Sequence, residues 1–159
     1  KVFGPGHTRN AYTADQVILQ YMKRKWIVIP GKAVLINFAY IRDVVQGHYL
    51  AMLHGKNREN YILGGENKTY FEFFNSIRAC HGSGNILRAP LKVFHLWGVL
   101  SEAWQKISGR RALFTPQTVD FLFSDHAFSS QKAIHELGYE ITPFEDAMRI
   151  TVEYLQKYR

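Results

Sequence analysis

The chain has one cysteine, Cys80, in 159 residues. An internal disulfide framework is thereby excluded, and a reducing, cytoplasmic setting is expected. Cys80 stands in a helical stretch just before His81 and Gly82, and reads as a packed thiol rather than a nucleophile. Apolar runs are short: none approaches the roughly 20 residues of a bilayer span, and no signal peptide is recognisable. No contact with a membrane is therefore expected. The chain opens on Lys1 rather than Met, which suggests a processed or truncated product. Windows of low complexity or disorder-prone composition are also missing.

Metal-ligand spacing is absent too. His95, His126 and His135 lie on or near helices without the two-histidine i, i+4 pattern beside a glutamate that a zinc site needs, so no metal is expected. Ser124, Asp125 and His126 are triad residue types, but adjacency in sequence is not triad geometry. Acidic residues are the minority, 13 against 20 lysines and arginines, leaving a formal charge of +7. Such a balance invites a nucleic-acid reading. The cations are scattered, however, as Lys23-Arg24-Lys25 at a helix end, Lys56 and Arg58 in a turn, and Arg110-Arg111 after Gly109. Cations at helix C-termini are favoured by the helix dipole alone, and no basic strand interleaved with aromatics appears. No nucleic-acid partner is expected.

What is present is a 47% apolar composition, enough for the core of one compact domain, and clear helix punctuation. Thr13 with Gln16 predicts a capping box before 14–25, and Thr69 with Glu72 another before 70–80, stopped near Gly82. Asp43 predicts the cap of 44–54, which ends at Gly55. Ser130 precedes 131–137, ended by Gly138. A helix over 91–107 follows Pro90. Thr142, with Pro143 in the first turn and Glu145 three positions on, opens 143–158. Strand candidates are few: "LINFAYI" at 35–41 and "YIL" at 61–63. The pattern is helix-rich α/β, with too little strand to close a sheet of its own.

Tyr21 and Lys25 in "YMKRK" have the Tyr-x-x-x-Lys spacing by which a cation can lower a tyrosine's pKa for general acid–base work. Yet Ala14, Val17, Ile18, Tyr21 and Met22 form one apolar stripe. Tyr21 is therefore expected in the core and Lys25 on the exit turn. "GPGHTRN" and "LGGEN" could be mistaken for phosphate loops, but they lack the strand–loop–helix context and read as turns. In 91–111, Phe94, Trp97, Leu100 and Trp104 form a broad apolar stripe. It is expected to be core, with a pocket lining as the alternative.

Four segments, "KVFGPG" at 1–6, "NFAYIRDVVQGHYLAM" at 37–52, "NYILGGENKTYFEFF" at 60–74 and "SSQKAIHELGYEITPFEDAMRITVEYLQK" at 129–157, resemble in order and spacing the C-terminal half of extended short-chain dehydrogenases/reductases. This is the NAD-dependent epimerase/dehydratase family, in the branch similar to dihydroflavonol reductases and 3β-hydroxysteroid dehydrogenases. The resemblance covers nearly all of the chain. It implies the helix-rich C-terminal part of a Rossmann-fold reductase: a small substrate lobe plus the last strand and helix of the Rossmann sheet. Residues 43–64 are then expected to pack on an N-terminal Rossmann domain absent from this chain, or to self-associate without it.

By the same resemblance, the catalytic Tyr-Lys pair and the glycine loop for NAD or NADP precede Lys1. No catalytic residue and no bound cofactor are then expected here. The "VFGPG" loop implies a substrate-facing role for Phe3, Gly4, Pro5 and Gly6, with Val2 nearest the cofactor. The strand "NFAYIRDV" is similar to "RDFVHVDD" of nucleotide-sugar members, which places Asn37 at a substrate-facing aspartate and Ile36 at an arginine that clamps substrate phosphates. Isoleucine supplies no bidentate cation, so a smaller or more apolar carbonyl or alcohol is expected as substrate. A non-catalytic binding or scaffold protein derived from this family is the alternative.

Overall fold

The computed structural model describes residues 1–6, 13–109, 112 and 114–158. In chain order the elements are β1 (Val2–Phe3), α1 (Ala14–Arg24), β2 (Trp26–Pro30), β3 (Leu35–Tyr40), α2 (Ile41–His54), β4 (Glu66–Thr69), α3 (Tyr70–His81) and β5 (Asn85–Ala89). Four helices complete it: α4 (Leu91–Ser108), α5 (Pro116–Leu122), α6 (Gln131–Leu137) and α7 (Phe144–Tyr158). This is the mixed α/β, helix-rich architecture expected.

The strands form two small sheets. In one, β3 lies between a parallel β1 and an antiparallel β4, with Val2 opposite Ala39 and Ile36 opposite Lys68. In the other, β2 and β5 pair in parallel from Trp26–Asn85 to Pro30–Ala89. Neither β2 nor β5 is expected from sequence, because "WIVIP" and "NILRA" lack the alternation that marks a half-buried strand. The strand expected at 61–63 is irregular, and the pairing is made instead by Glu66–Thr69. That strand is polar throughout, so hydropathy hides it.

The main core lies where α1, α3 and α7 cover the β1-β3-β4 sheet. Phe38 stacks on Phe73 with ring centres 4.5 Å apart, and Phe3 and Phe144 close the cluster at 5.6 Å from each other. Ile18, Ile77, Met148, Val152 and Leu155 fill the helix faces and are fully buried. A second, smaller cluster of Ala133, Leu137 and Tyr139 joins α6 to α2. Cys80 packs against the main core, and burial pushes its thiol up, as a packed cysteine should behave.

Several expected caps are realised differently. The box of Thr69 with Glu72 forms in full, Glu72 N–H donating to Thr69 Oγ1 at 3.2 Å and Thr69 N–H to Glu72 Oε2 at 2.7 Å. Thr13 does not cap α1 through its side chain. Helix α2 starts at Ile41, which places Asp43 inside its first turn, where its carboxylate accepts from Thr142 N–H and Oγ1 at 2.8 and 2.7 Å. Thr142 is thereby turned away from α7, whose first amide, Phe144 N–H, donates to Glu66 Oε1 at 2.7 Å. Ser130 Oγ accepts from Gly64 N–H at 2.9 Å instead of capping α6. Asp43 and Ser130 follow one rule: a side chain able to cap locally accepts instead from a donor on a distant segment, where an unmade bond costs more.

Candidate functional site

Tyr21 is buried at 1% exposure, edge-on to Phe74, and Lys25 is exposed in the left-handed turn that ends α1. Burial raises the Tyr21 pKa, against the opposing charge of Arg78. A phenol held protonated inside the core is no general base, so the spacing in "YMKRK" is that of an ordinary helix side. Ser124 Oγ does reach His126 Nε2 at 3.0 Å, but that nitrogen also faces the Phe121 carbonyl at 2.8 Å. Asp125 accepts from Leu35 N–H at 2.8 Å and leaves the histidine without a carboxylate. The triad residue types therefore do not assemble a nucleophile. Among the described residues no group of three or more histidine, cysteine or acidic side chains could hold a metal ion.

The residues assigned to substrate and cofactor gather at the β1 end of the three-stranded sheet. Phe3 is fully in the core, while Val2 on the other strand face is half exposed. Gly4 has a φ of +152°, its N–H donates to Asp15 Oδ1 at 3.2 Å, and a Cβ there would stand 2.3 Å from Ile41 Cγ2. Only glycine lets the loop turn this close to the start of α2. Beyond Gly6 the loop enters residues 7–12, so the rest of "GPGHTRN" lies outside the described residues.

Asn37 is the hub behind this loop. Its amide nitrogen donates to the Gly65 carbonyl and to Asn67 Oδ1, both at 2.8 Å, and its oxygen accepts from Gly65 N–H at 2.9 Å. The family resemblance implies a substrate-facing role for Asn37; in the structure its amide pins the Gly64–Gly65 turn to β3. A Cβ on Gly65 would lie 2.0 Å from the Phe38 carbonyl. The glycines of "LGGEN" thus permit backbone to approach backbone, and the following helix starts only at Tyr70. The Gly64–Gly65 pair is no dinucleotide cradle, which needs its glycines free to meet a pyrophosphate at a helix N-terminus. Among the described residues, the Gly64–Gly65 turn does not fit that cofactor.

Ile36, at the position of the phosphate-clamping arginine, is buried at 1% exposure. Arg42 is exposed on the first turn of α2. One feature the sequence does not reveal is Tyr70, which borders two adjoining pockets. The larger, of about 130 Å³, lies among Ile29, Ala33, Phe71, Lys32 and Arg88. The smaller, of about 50 Å³, lies among Phe38, Phe73, Val17 and Lys1. Tyr70 Oη donates to the Leu122 carbonyl at 2.8 Å and accepts from Lys1 Nζ at 3.0 Å. Burial pushes the Tyr70 pKa up to about 12 and the Lys1 ammonium below its ordinary value. This favours a neutral tyrosine that donates, not one that removes protons. The only sequence signal for the pocket is the Gly31-Lys32 turn between two apolar runs.

The stripe on α4 departs from its expectation. Phe94 is half-buried against Phe123, with ring centres 4.9 Å apart. Trp97, Leu100 and Trp104 are exposed and belong to no core.

A small antiparallel-edged sheet behind a glycine loop, with a helical lobe beside it, matches part of solved Rossmann-fold epimerase and reductase structures. The structures of gox2253 (27% identical, TM-score 0.72) and of the UDP-glucose 4-epimerase of Thermotoga maritima (21% identical, TM-score 0.68) each span 99% of this chain, but 47% and 44% of their own. In sequence, a candidate dihydroflavonol 4-reductase of Synechocystis is 26% identical over 98% of this chain and 46% of its own length. Short-chain dehydrogenase/reductase family 42E member 1 of Bos taurus is 29% identical over 91% of the chain and 39% of its own. No family model matches the chain. The chain is thus a relative of the extended short-chain dehydrogenases/reductases, spanning less than half the length of the relatives it matches.

Proposed function

We propose that these residues are the substrate-facing part of an NAD(P)-dependent oxidoreductase or epimerase that acts on a small carbonyl or alcohol. In this reading Phe3, Gly4, Pro5, Gly6 and Asn37 border the substrate and Val2 stands nearest the nicotinamide. The catalytic Tyr-Lys pair and the NAD or NADP loop belong to residues outside the chain. The observation that carries the substrate class is Ile36, an apolar side chain sealed in the core where a diphosphate would need a guanidinium. Lys32 and Arg88 at the pocket beside Tyr70 allow one acidic substituent on that substrate.

The outer face of α2 supports the division of labour. Val45, Tyr49, Met52 and Leu53 are all more than half exposed there, on the 43–64 segment assigned to contact with the Rossmann half. An exposed apolar row of this kind suits a partner surface, or a second copy of the chain in its absence.

The test is an NADPH fluorescence titration of the 159-residue protein, paired with thermal-shift screening of small aldehydes, ketones and their alcohols. No NADPH binding, with stabilisation by a carbonyl compound, is the expected result. Saturable micromolar NADPH binding, or an NADPH-dependent rate, would place a nucleotide site within these residues and overturn the partition. Stabilisation by UDP-sugars and not by small carbonyls would overturn the substrate class.

A further inference from the structure

The C-terminal ends of α1 and α3 meet at one end of the molecule. Asn85 N–H donates to the Lys25 carbonyl at 2.9 Å, and a Cβ on Gly84 would stand 2.5 Å from Tyr21 Oη. The turn that leaves α3, at 82–84, therefore lies against the last turn of α1. Arg78, held by Asn75 Oδ1 at 2.6 Å, is close enough for its charge to act on the Tyr21 phenol. The fold thus sets Arg78 near Lys23, Arg24 and Lys25, although it is distant from them in sequence. All four cations are exposed. Among the described residues, none of them has a carboxylate within ion-pair distance.

The backbone at this end also favours charge over ease of folding. Helices α3, α4 and α6 stop in the left-handed region on Gly82, Gly109 and Gly138, the residue that adopts it without strain. Helix α1 stops there on Lys25, at a φ of +59°. Next to Lys25 the outer face of the β2–β5 sheet is open, with Trp26 51% and Leu87 54% exposed. Trp26 is in register with Asn85 and Val28 with Leu87, so these four share one face. Ile27, Ile29 and Ile86 take the other face and join the core.

We propose that this end of the molecule binds single-stranded nucleic acid, against the sequence-based expectation of no such partner. Backbone phosphates lie over Lys23, Arg24, Lys25 and Arg78, and a base stacks on Trp26. An exposed indole on a sheet face, rimmed by unpaired cations, meets both halves of a nucleotide, the π-face and the phosphate. An acidic peptide would satisfy the cations and leave the indole without a counterpart. A duplex keeps its bases stacked on one another and offers none to Trp26. The inference is independent of the reductase reading, since none of these residues is assigned there to substrate or cofactor. Gly4 bonds to Asp15 at the opposite end of α1, roughly 14 Å along the helix from Arg24.

The assay is fluorescence anisotropy of a labelled deoxythymidine oligonucleotide, titrated with the 159-residue protein over a series of salt concentrations, with tryptophan quenching as the second readout. Binding that quenches tryptophan and weakens with salt is expected. Lys23→Gln/Arg24→Gln should weaken it about tenfold or more and lower the slope of log affinity against log salt by about one to two. Trp26→Leu should weaken it about fivefold or more, remove most of the quenching and leave the salt slope unchanged. Lys92→Gln/Lys106→Gln on α4 makes the same change in net charge and should lose far less. Circular dichroism and the thermal midpoint should be those of the parent protein in all three. No binding, or equal loss with the α4 variant, overturns the proposal. So does unchanged affinity in Trp26→Leu, or competition by poly-glutamate as effective as by the oligonucleotide, which assigns the cations to an acidic polypeptide. Equal affinity for a duplex of the same length overturns the stacking and the proposal with it.

Discussion

Asn37→Ala removes three hydrogen bonds at once: two donated by its amide to Gly65 O and Asn67 Oδ1, and one accepted from Gly65 N–H. Gly65 sits so close to Phe38 that water has little room to replace the lost partner. At about 1 kcal/mol net for each bond, and more where a buried group is orphaned, the expected loss is about 3 kcal/mol. For a chain of this size that lowers the thermal midpoint by roughly 6–12 °C. Urea unfolding followed by circular dichroism measures it. Asn37→Asp keeps the volume but turns the donating nitrogen into an acceptor facing the Gly65 carbonyl. Asn67 cannot simply flip to help, because its own amide already holds Phe128 at both N–H and C=O. The aspartate variant should be as unstable as the alanine variant at neutral pH. It should recover part of the loss in acid, because the protonated carboxyl can donate again. A change below about 0.5 kcal/mol in both variants would refute the assignment of Asn37 as the peg of the Gly64–Gly65 turn.

Three further expectations are simpler. Among the described residues the buried Tyr21 hydroxyl has no hydrogen-bond partner, so Tyr21→Phe should leave stability unchanged or raise it by up to about 1 kcal/mol; a clear loss in calorimetry would contradict its place as core filling. Gly47 on α2 has Leu63 Cδ2 2.7 Å from where a Cβ would stand, and Tyr139 Cε2 at 3.0 Å. Gly47→Ala, normally favourable in a helix, should therefore cost about 1–2 kcal/mol by urea titration. The Glu72 carboxyl is held below its ordinary value of 4.5, chiefly by the Thr69 N–H and then by the Thr69 hydroxyl. Its contribution should be fully present above pH 4.5 and be lost as pH falls through the lowered folded value. Thr69→Ala removes the hydroxyl and keeps the N–H, so it should make that part of the stability–pH curve shallower without abolishing it.

Much of this protein was written locally. The α3 capping box, the left-handed stops at Gly82, Gly109 and Gly138, and the burial of Tyr21 follow from spacing and backbone preference within one or two turns. Those forces act between near neighbours, so a sequence shows them. The four segments in register likewise pointed to the extended short-chain dehydrogenases/reductases that the chain resembles and to the C-terminal part of their fold. Tertiary structure decided what near neighbours cannot. It diverted Asp43, Ser130 and Thr142 from local caps to distant partners, paired the polar strand Glu66–Thr69 with Leu35–Tyr40, and brought Tyr70 between two pockets. It also turned the apolar face of α4 outward, because Gly98, His95 and Gln105 found closer partners on the inside, in Pro116, Asp120 and Ala112, than Trp97 and Trp104 could. Hydropathy says which side of a helix is apolar, but the contacts offered by the rest of the chain choose which side is buried.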